Sequence, residues 1–242
     1  MRSISLLVLL FIYDYSFAQQ PCTVDEILDK HLLTKVEYNR NELDIDLSPL
    51  FFKKDTYAGN AKYLAFIGRN KKRLFIDFDK IERTDEDKGC YKVTGETTVF
   101  NGATRKFSGD FILKGQYAFN NDELEKEEEF DLSDETHGFS ILNFKLYENR
   151  ELTSTGIFEG FVLVRWYKDK NGKYQYDDLL AYNPSYANCI FIGTWKSYKT
   201  GNESAVAWSH FRIPCSGDLD WGASEFSPAP EYHEYGWSDY KP

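Results

Sequence analysis

Short stretches in which apolar and polar residues alternate follow one another along most of this chain. They cover residues 43–47, 62–67, 73–81, 90–100, 106–113, 139–147 and 153–166. A period of two places the apolar side chains on one face of a β-strand, and favoured turn dipeptides such as Asn101-Gly102 separate the stretches. About ten short strands with regular turns predict an all-β fold, either an antiparallel barrel or a sandwich.

Residues 189–215 contain the clearest predicted hairpin. Two apolar stretches flank a turn that is rich in Gly, Asn and Ser. Folding the chain at Asn202 places Phe191 opposite Ile213 and brings the two ends of the segment together. The apolar pattern and the turn therefore predict the same pairing of the two strands.

The four cysteines predict two disulfides. In the hairpin, Cys189 lies opposite Cys215, and opposed residues are about 4.5–5.5 Å apart, a distance that a disulfide spans. The remaining pair is then Cys22–Cys90. No two cysteines have the C-x-x-C spacing of a zinc ribbon or a thioredoxin motif, and paired cysteines are typical of an oxidising compartment.

Residues 1–18 have the pattern of a signal peptide. Arg2 is followed by the apolar residues 4–13, and Ser16-Phe17-Ala18 forms a small-x-small cleavage site. The apolar run is too short to span a bilayer. The sequence therefore predicts a secreted or periplasmic protein whose mature part, residues 19–242, is a single mostly-β domain.

Three segments differ from the alternating pattern. Thr23 and Glu26 form a capping box that predicts one N-terminal α-helix over residues 24–35. Residues 120–135 contain nine acidic residues and one lysine, and this loop is the one place where a boundary inside the domain is plausible. After Cys215 the composition, rich in Pro, Gly and aromatic residues, predicts an irregular aromatic tail that packs on the sheet by its rings.

The formal net charge of −10 limits the possible partners. Nucleic acids and anionic membrane surfaces are bound mainly through basic patches. We therefore expect a protein or carbohydrate partner, no nucleic acid and no membrane insertion.

Side chains that could hold a metal occur together near the C-terminal end. If the tail folds back over the hairpin, four nitrogen and oxygen donors converge on Zn²⁺ or Ca²⁺, namely His210, Asp218, Asp220 and His233. The alternative is that the aspartates form turns and the histidines make ordinary hydrogen bonds. The common nucleophile, phosphate-binding and dinucleotide-binding motifs are missing from the sequence, so no catalytic residue and no cofactor are predicted.

Exposed tryptophan and tyrosine side chains are typical of contact surfaces. The candidates here are Trp208, Trp221, Tyr232 and Trp237. The alternative for each of them is packing in the core or under the tail.

Three functions remain open from the sequence. The first is a non-enzymatic secreted binding domain for a protein or glycan, for which an inhibitor or immunity-type role fits. The second is a carrier of a small apolar ligand, because the outline resembles calycin-type barrels, although the G-x-W of lipocalins occurs here near the end, at Gly193-Thr194-Trp195. The third is a metal-assisted hydrolase. A filled core with an acidic, aromatic surface favours the first, a deep apolar pocket the second, and convergent His and Asp side chains the third.

Overall fold

Strands account for most of the regular structure of the chain. The computed structural model describes residues 22–24, 26–27, 38–40, 44–52, 63–120, 135–178, 181, 186–222 and 225–240. The strands are β1 (Tyr38–Arg40), β2 (Leu64–Ile67), β3 (Lys72–Arg83), β4 (Cys90–Val99), β5 (Thr104–Phe119), β6 (Thr136–Glu148), β7 (Gly156–Lys168), β8 (Tyr174–Tyr176), β9 (Asn188–Ser197) and β10 (Glu203–His210). Short 3-10 helices cover Ser48–Phe51, Gly217–Leu219 and Pro230–Tyr235. The predicted all-β class is confirmed.

Eight of these strands close into an antiparallel barrel in the order β2-β3-β4-β5-β6-β7-β9-β10. The ring is completed by pairing β10 with β2, where Val206 lies opposite Ile67. The two remaining strands extend the wall at one end: β1 pairs with β5, and β8 pairs with β7. The sequence left barrel and sandwich open, and the pairing of β10 with β2 decides for the barrel.

Aromatic rings fill the interior of the barrel. Phe191 on β9 is completely buried, and its ring stacks on Trp208 with 4.7 Å between centroids. Five further rings lie 5.5–6.0 Å from it, those of Phe51, Tyr63, Phe78, Phe111 and Phe144. Alternation along each strand directs these side chains inward.

A second apolar cluster, the outer cluster, covers the outside of the barrel over β2, β10, β9, β7 and β6. Its buried members include Phe66, Leu163, Ile190 and Ile192 from the strands. The C-terminal tail covers them: Phe226 packs against Trp237 at 5.4 Å and against Tyr240 at 5.3 Å. The predicted packing of the tail by its rings is confirmed.

The N-terminal helix begins where the capping box predicts. The amide of Glu26 donates to Thr23 Oγ1 at 3.2 Å, and the amide of Thr23 donates to Glu26 Oε2 at 2.9 Å. Ile27 then joins the outer cluster. The rest of the predicted helix lies outside the described residues, as do the predicted signal peptide and residues 121–134 of the acidic loop.

The predicted register of the β9–β10 hairpin is wrong by five residues. Phe191 lies opposite Trp208 rather than Ile213, and Lys196 lies opposite Glu203. The turn ends at Asn202 instead of being centred on it, because β10 already begins at Glu203. An odd shift exchanges the two faces of a strand, so Trp208 points into the barrel with Phe191.

The predicted disulfide pairing is wrong for the same reason. Cys189 faces the barrel interior, where its thiol donates to the carbonyl oxygen of Leu50 at 3.6 Å. Cys215 lies beyond the end of β10 in the outer cluster and bonds to Cys22, with 6.1 Å between their Cα atoms. Cys90 and Cys189 take part in no disulfide. A hairpin shifted by five residues cannot place Cys189 opposite Cys215.

Among the described residues, no helix is long and apolar enough to cross a membrane.

Candidate functional site

The four aromatic residues predicted to bind a ligand have different surroundings. Trp208 and Trp237 are fully buried, one inside the barrel and one in the outer cluster. Tyr232 is partly buried, and its hydroxyl donates to Asp218 Oδ1 at 2.6 Å. Trp221 is 67% exposed, more than the other large hydrophobic side chains on the described surface. Of these four residues, only Trp221 and Tyr232 are therefore accessible to a partner.

An ion pair fixes the loop that carries Trp221. Arg212 Nε donates to Asp220 Oδ2 at 2.5 Å, and its Nη2 donates to the carbonyl oxygen of Gly222 at 2.6 Å. The second oxygen of Asp220 accepts the amides of Gly222 and Ser227 at 3.2 and 3.1 Å. Because the Asp220 side chain is only 3% exposed, water screens this network little. These bonds hold the residues on both sides of Trp221, Asp220 and Gly222.

The tail around Trp221 is acidic. Residues 216–240 contain six carboxylates and no lysine or arginine. Asp220 is paired with Arg212, and Asp239 is paired with Arg73 at 3.0 Å. Within the described part of the chain, the remaining four make no ion pair: Asp218, Glu225, Glu231 and Glu234. We call these four carboxylates together with Trp221 and Tyr232 the acidic tail surface. Burial and the hydrogen bond to Asp218 raise the pKa of Tyr232 to about 12, so its hydroxyl stays a neutral donor.

The four residues of the predicted metal site do not come together. His210 is buried, with its Nδ1 atom 3.1 Å from the Tyr176 hydroxyl and its ring 4.2 Å from that of Tyr63. Asp220 is engaged by Arg212 and Asp218 by Tyr232, whereas His233 is exposed on the last 3-10 helix. The described residues contain no group of three or more His, Cys, Asp or Glu side chains that could hold a metal ion.

A buried histidine at the β8 end of the barrel was not recognised from the sequence as a site residue. His137 is 1% exposed; its Nδ1 lies 3.0 Å from Asp177 Oδ2 and its Nε2 lies 3.2 Å from Glu135 Oε2. Its ring stacks on Tyr167. Burial by itself lowers the pKa of His137, but the two carboxylates outweigh it and raise the pKa above its ordinary value of 6.5.

Asn188 holds Asp177 in place. Its side-chain amide donates to the carbonyl oxygens of Asp177 and Arg165, at 3.1 and 3.0 Å, and its oxygen accepts the Arg165 amide at 2.8 Å. These bonds fix the point where β8 replaces β9 beside β7. No local pattern in the sequence could indicate that Asp177 meets His137, because forty residues separate them.

A comparison of this chain with protein-family models, curated proteins and solved structures found no match. The fold defines the chain as an eight-stranded antiparallel β-barrel protein whose outer wall is covered by an aromatic C-terminal tail.

Proposed function

We propose that this chain is a secreted, non-enzymatic binding protein that holds a basic protein partner on its acidic tail surface. The observation that carries the proposal is the exposed Trp221, held by the Arg212–Asp220 pair in a tail segment of which four carboxylates form no ion pair with a described residue. Tryptophan anchors are enriched at the centres of protein interfaces. Complementary charge accelerates encounter and selects the partner, which fits an inhibitor or immunity-type role.

The interior of the barrel gives less support to a carrier of a small apolar ligand. A carrier needs space between the strands, and here Phe191 occupies the centre with six aromatic rings around it. The hydrolase alternative needs His210 beside Asp220. Those side chains are engaged by Tyr176 and by Arg212.

The Cys22–Cys215 disulfide supports the proposed location outside the cytosol. Disulfides persist mainly in secreted and periplasmic proteins, because the cytosol keeps thiols reduced. The bond also joins the N-terminal helix to the start of the tail.

Photo-crosslinking tests the proposal. A photoreactive amino acid is placed at the exposed His233, between Tyr232 and Glu234 of the acidic tail surface. In a matched protein it is placed at Tyr147, which is 42% exposed on β6. We expect a basic protein to be crosslinked from the native secreted fraction at position 233 only. The captured protein is then purified, and its affinity is measured by biolayer interferometry.

Two variants decide whether the captured protein binds as proposed. Trp221→Ala is expected to weaken binding at least about tenfold, and the triple change Asp218→Asn, Glu231→Gln, Glu234→Gln is expected to reduce its dependence on salt. The matched control neutralises Asp77, Asp79 and Glu96 on β3 and β4. Equal affinity for wild type and Trp221→Ala contradicts the proposal. Capture of no protein, together with Trp221-dependent binding on a glycan array, replaces the protein partner with a carbohydrate.

A further inference from the structure

The wall of the barrel has a gap on the side opposite the tail. The β4–β5 ladder ends where Cys90 pairs with Ile112, and the β1–β5 ladder begins where Arg40 pairs with Tyr117. The amide of Leu113 still donates to the carbonyl oxygen of Gly89 at 2.7 Å, but no described strand is paired with residues 114–116 of β5 on this side. In the order of the strands around the barrel, the β4–β5 pair lies opposite the β9–β10 hairpin that the tail covers.

A pocket of about 410 Å³ opens in this gap. Its volume lies in the range of small-molecule sites. Residues from five parts of the chain line it: β1, the segment before the first 3-10 helix, the end of β3, the β3–β4 connection and β5. Its polar and charged lining residues are Arg40, Asp44, Arg83, Lys88, Lys114 and Gln116.

The pocket is cationic although the chain is acidic. Four of its lining residues are Arg or Lys and one is an aspartate, whereas the whole chain has a net charge of −10. Asp44 accepts from Lys88 Nζ at 2.5 Å and from Arg83 Nη1 at 2.7 Å. These two contacts hold the pKa of Asp44 below its ordinary value, so its carboxylate stays ionised. Its single negative charge offsets one of the two positive charges of Lys88 and Arg83.

Three side chains that line the pocket have N–H groups without an acceptor among the described residues: Gln116, Arg40 and Lys114. Gln116 is 3% exposed, lines the pocket, and its Nε2 has no hydrogen-bond partner. Arg40 donates one hydrogen bond, from Nη2 to the carbonyl oxygen of Lys114 at 3.3 Å. Neither Arg40 nor Lys114 forms an ion pair with another described residue. A buried amide donor without an acceptor is unfavourable, and an acceptor that enters the pocket removes this cost.

We propose that the pocket binds the oxyanion of a small ligand, with Gln116 Nε2, the Arg40 guanidinium and the Lys114 ammonium as donors. The guanidinium matches a carboxylate, phosphate or sulfate through two parallel hydrogen bonds, and the lysine adds a point charge. The neutral amide of the buried Gln116 supplies a directed donor. This site is separate from the acidic tail surface and does not depend on the function proposed for it.

Isothermal titration calorimetry at constant ionic strength tests the proposal on the full chain. The ligands are inorganic sulfate, inorganic phosphate, citrate and a sulfated disaccharide. We expect at least one of them to bind with a stoichiometry of one and to shift the side-chain amide signals of Gln116 in ¹⁵N NMR spectra. Preference for sulfate and phosphate identifies a tetrahedral anion, and preference for citrate identifies a carboxylate.

Variants separate this site from general charge effects. The exposed double change Arg40→Gln, Lys114→Gln is expected to weaken binding at least about tenfold. The matched control Lys145→Gln, Lys196→Gln removes two exposed lysines that do not line the pocket, one on β6 and one on β9, and is expected to leave affinity within about twofold. Gln116→Met keeps the size of the buried side chain and is expected to weaken binding without changing the salt dependence. Absence of binding up to about 10 mM ligand, or equal losses in both double variants, overturns the proposal.

Discussion

Glu148 shows how a single buried carboxylate connects several strands. It ends β6 and is only 5% exposed. Its Oε2 accepts the amide of Gly156 at 2.8 Å and the indole Nε1–H of Trp195 at 2.9 Å, while Oε1 accepts the Thr97 hydroxyl at 3.1 Å. Burial raises the pKa of Glu148 although these three donors oppose it. The folded state therefore favours the protonated form more than the unfolded state does, so ionisation of Glu148 at neutral pH reduces stability.

Replacing Glu148 tests this balance. Glu148→Gln keeps an acceptor for Gly156 and Trp195 and supplies a donor to the Thr97 hydroxyl. We expect this variant to be at least as stable as wild type at about pH 7. Its advantage is expected to decrease towards about pH 3, where the glutamate of the unfolded state, with an ordinary pKa of about 4.3, is also protonated. Glu148→Leu leaves two buried N–H groups without an acceptor and is expected to lose about 1–3 kcal/mol for each. Urea unfolding measures both, and a stable Glu148→Leu variant would contradict the role of the carboxylate.

His137 predicts how stability depends on pH. Its pKa is raised in the folded protein by Asp177 and Glu135 against the effect of burial. The stabilisation is therefore complete below about pH 6.5, the value of the unfolded state, and is lost as the pH rises through the higher folded value. We expect the free energy of unfolding of wild type, relative to His137→Gln, to be larger at about pH 6 than at about pH 9. The exposed His233→Gln is the control, and a difference that does not change with pH would refute the prediction.

At the scale of strands and helices, local patterns predicted the elements but not their pairing. Alternation located the strands, and the Thr23–Glu26 capping box located the start of the helix. The β9–β10 register was predicted from the apolar pattern, the turn composition and the opposed cysteines, but a turn of this composition fits a reversal at several positions. What decides the register is the contact between Phe191 and Trp208 inside the closed barrel. That contact depends on the other strands and cannot be seen in the hairpin alone.

Two glycines allow β7 and β9 to approach closely. Gly160 pairs with Gly193, and a Cβ atom on Gly160 would lie 2.0 Å from the carbonyl oxygen of Ile192 and 2.6 Å from the Cα of Gly193. These neighbours are backbone atoms, which no change of rotamer can move. The pair is therefore a fixed requirement of this part of the wall.

We expect Gly160→Ala to destabilise the barrel by about 1–3 kcal/mol or more. Gly89→Ala is a matched control, because its Cβ would meet a movable carboxylate oxygen of Asp87 at 3.3 Å and Leu113 Cβ at 3.5 Å. Thermal unfolding followed by circular dichroism compares the two variants. Equal melting temperatures would show that the strands can separate without cost.

At the scale of the whole molecule, the sequence predicted the class of fold and two residues of the acidic tail surface, but neither the closure of the barrel nor the cationic pocket. Barrel and sandwich differ in one long-range pairing, β10 with β2, which leaves no local signal. The cationic pocket likewise depends on a long-range pairing, because Arg40 and Lys114 are brought together by the pairing of β1 with β5. Of the four predicted binding residues, Trp221 and Tyr232 remain candidates because the other two, Trp208 and Trp237, are buried. Their burial depends on the barrel closure and on how the tail folds over the barrel, which the sequence does not indicate.

The thiol chemistry of the chain tests the corrected disulfide. In denaturant without reductant, we expect iodoacetamide to label two cysteines, Cys90 and Cys189, and four after reduction, as counted by intact mass spectrometry. Cys22→Ser removes a bond that spans 193 residues and is expected to reduce stability by about 2–5 kcal/mol, whereas Cys90→Ser serves as the control. Failure to label any cysteine before reduction would instead support two disulfides.

The seam between β2 and β10 also determines when during synthesis this chain can finish folding. Every other neighbour in the ring is a nearby segment of sequence, but the seam joins the first and the last barrel strands. A growing chain therefore carries an open sheet with two exposed edges until residue 210 has been made, and open edges associate readily with other chains. We therefore expect this chain to be most prone to association with other chains just before β10 is synthesised.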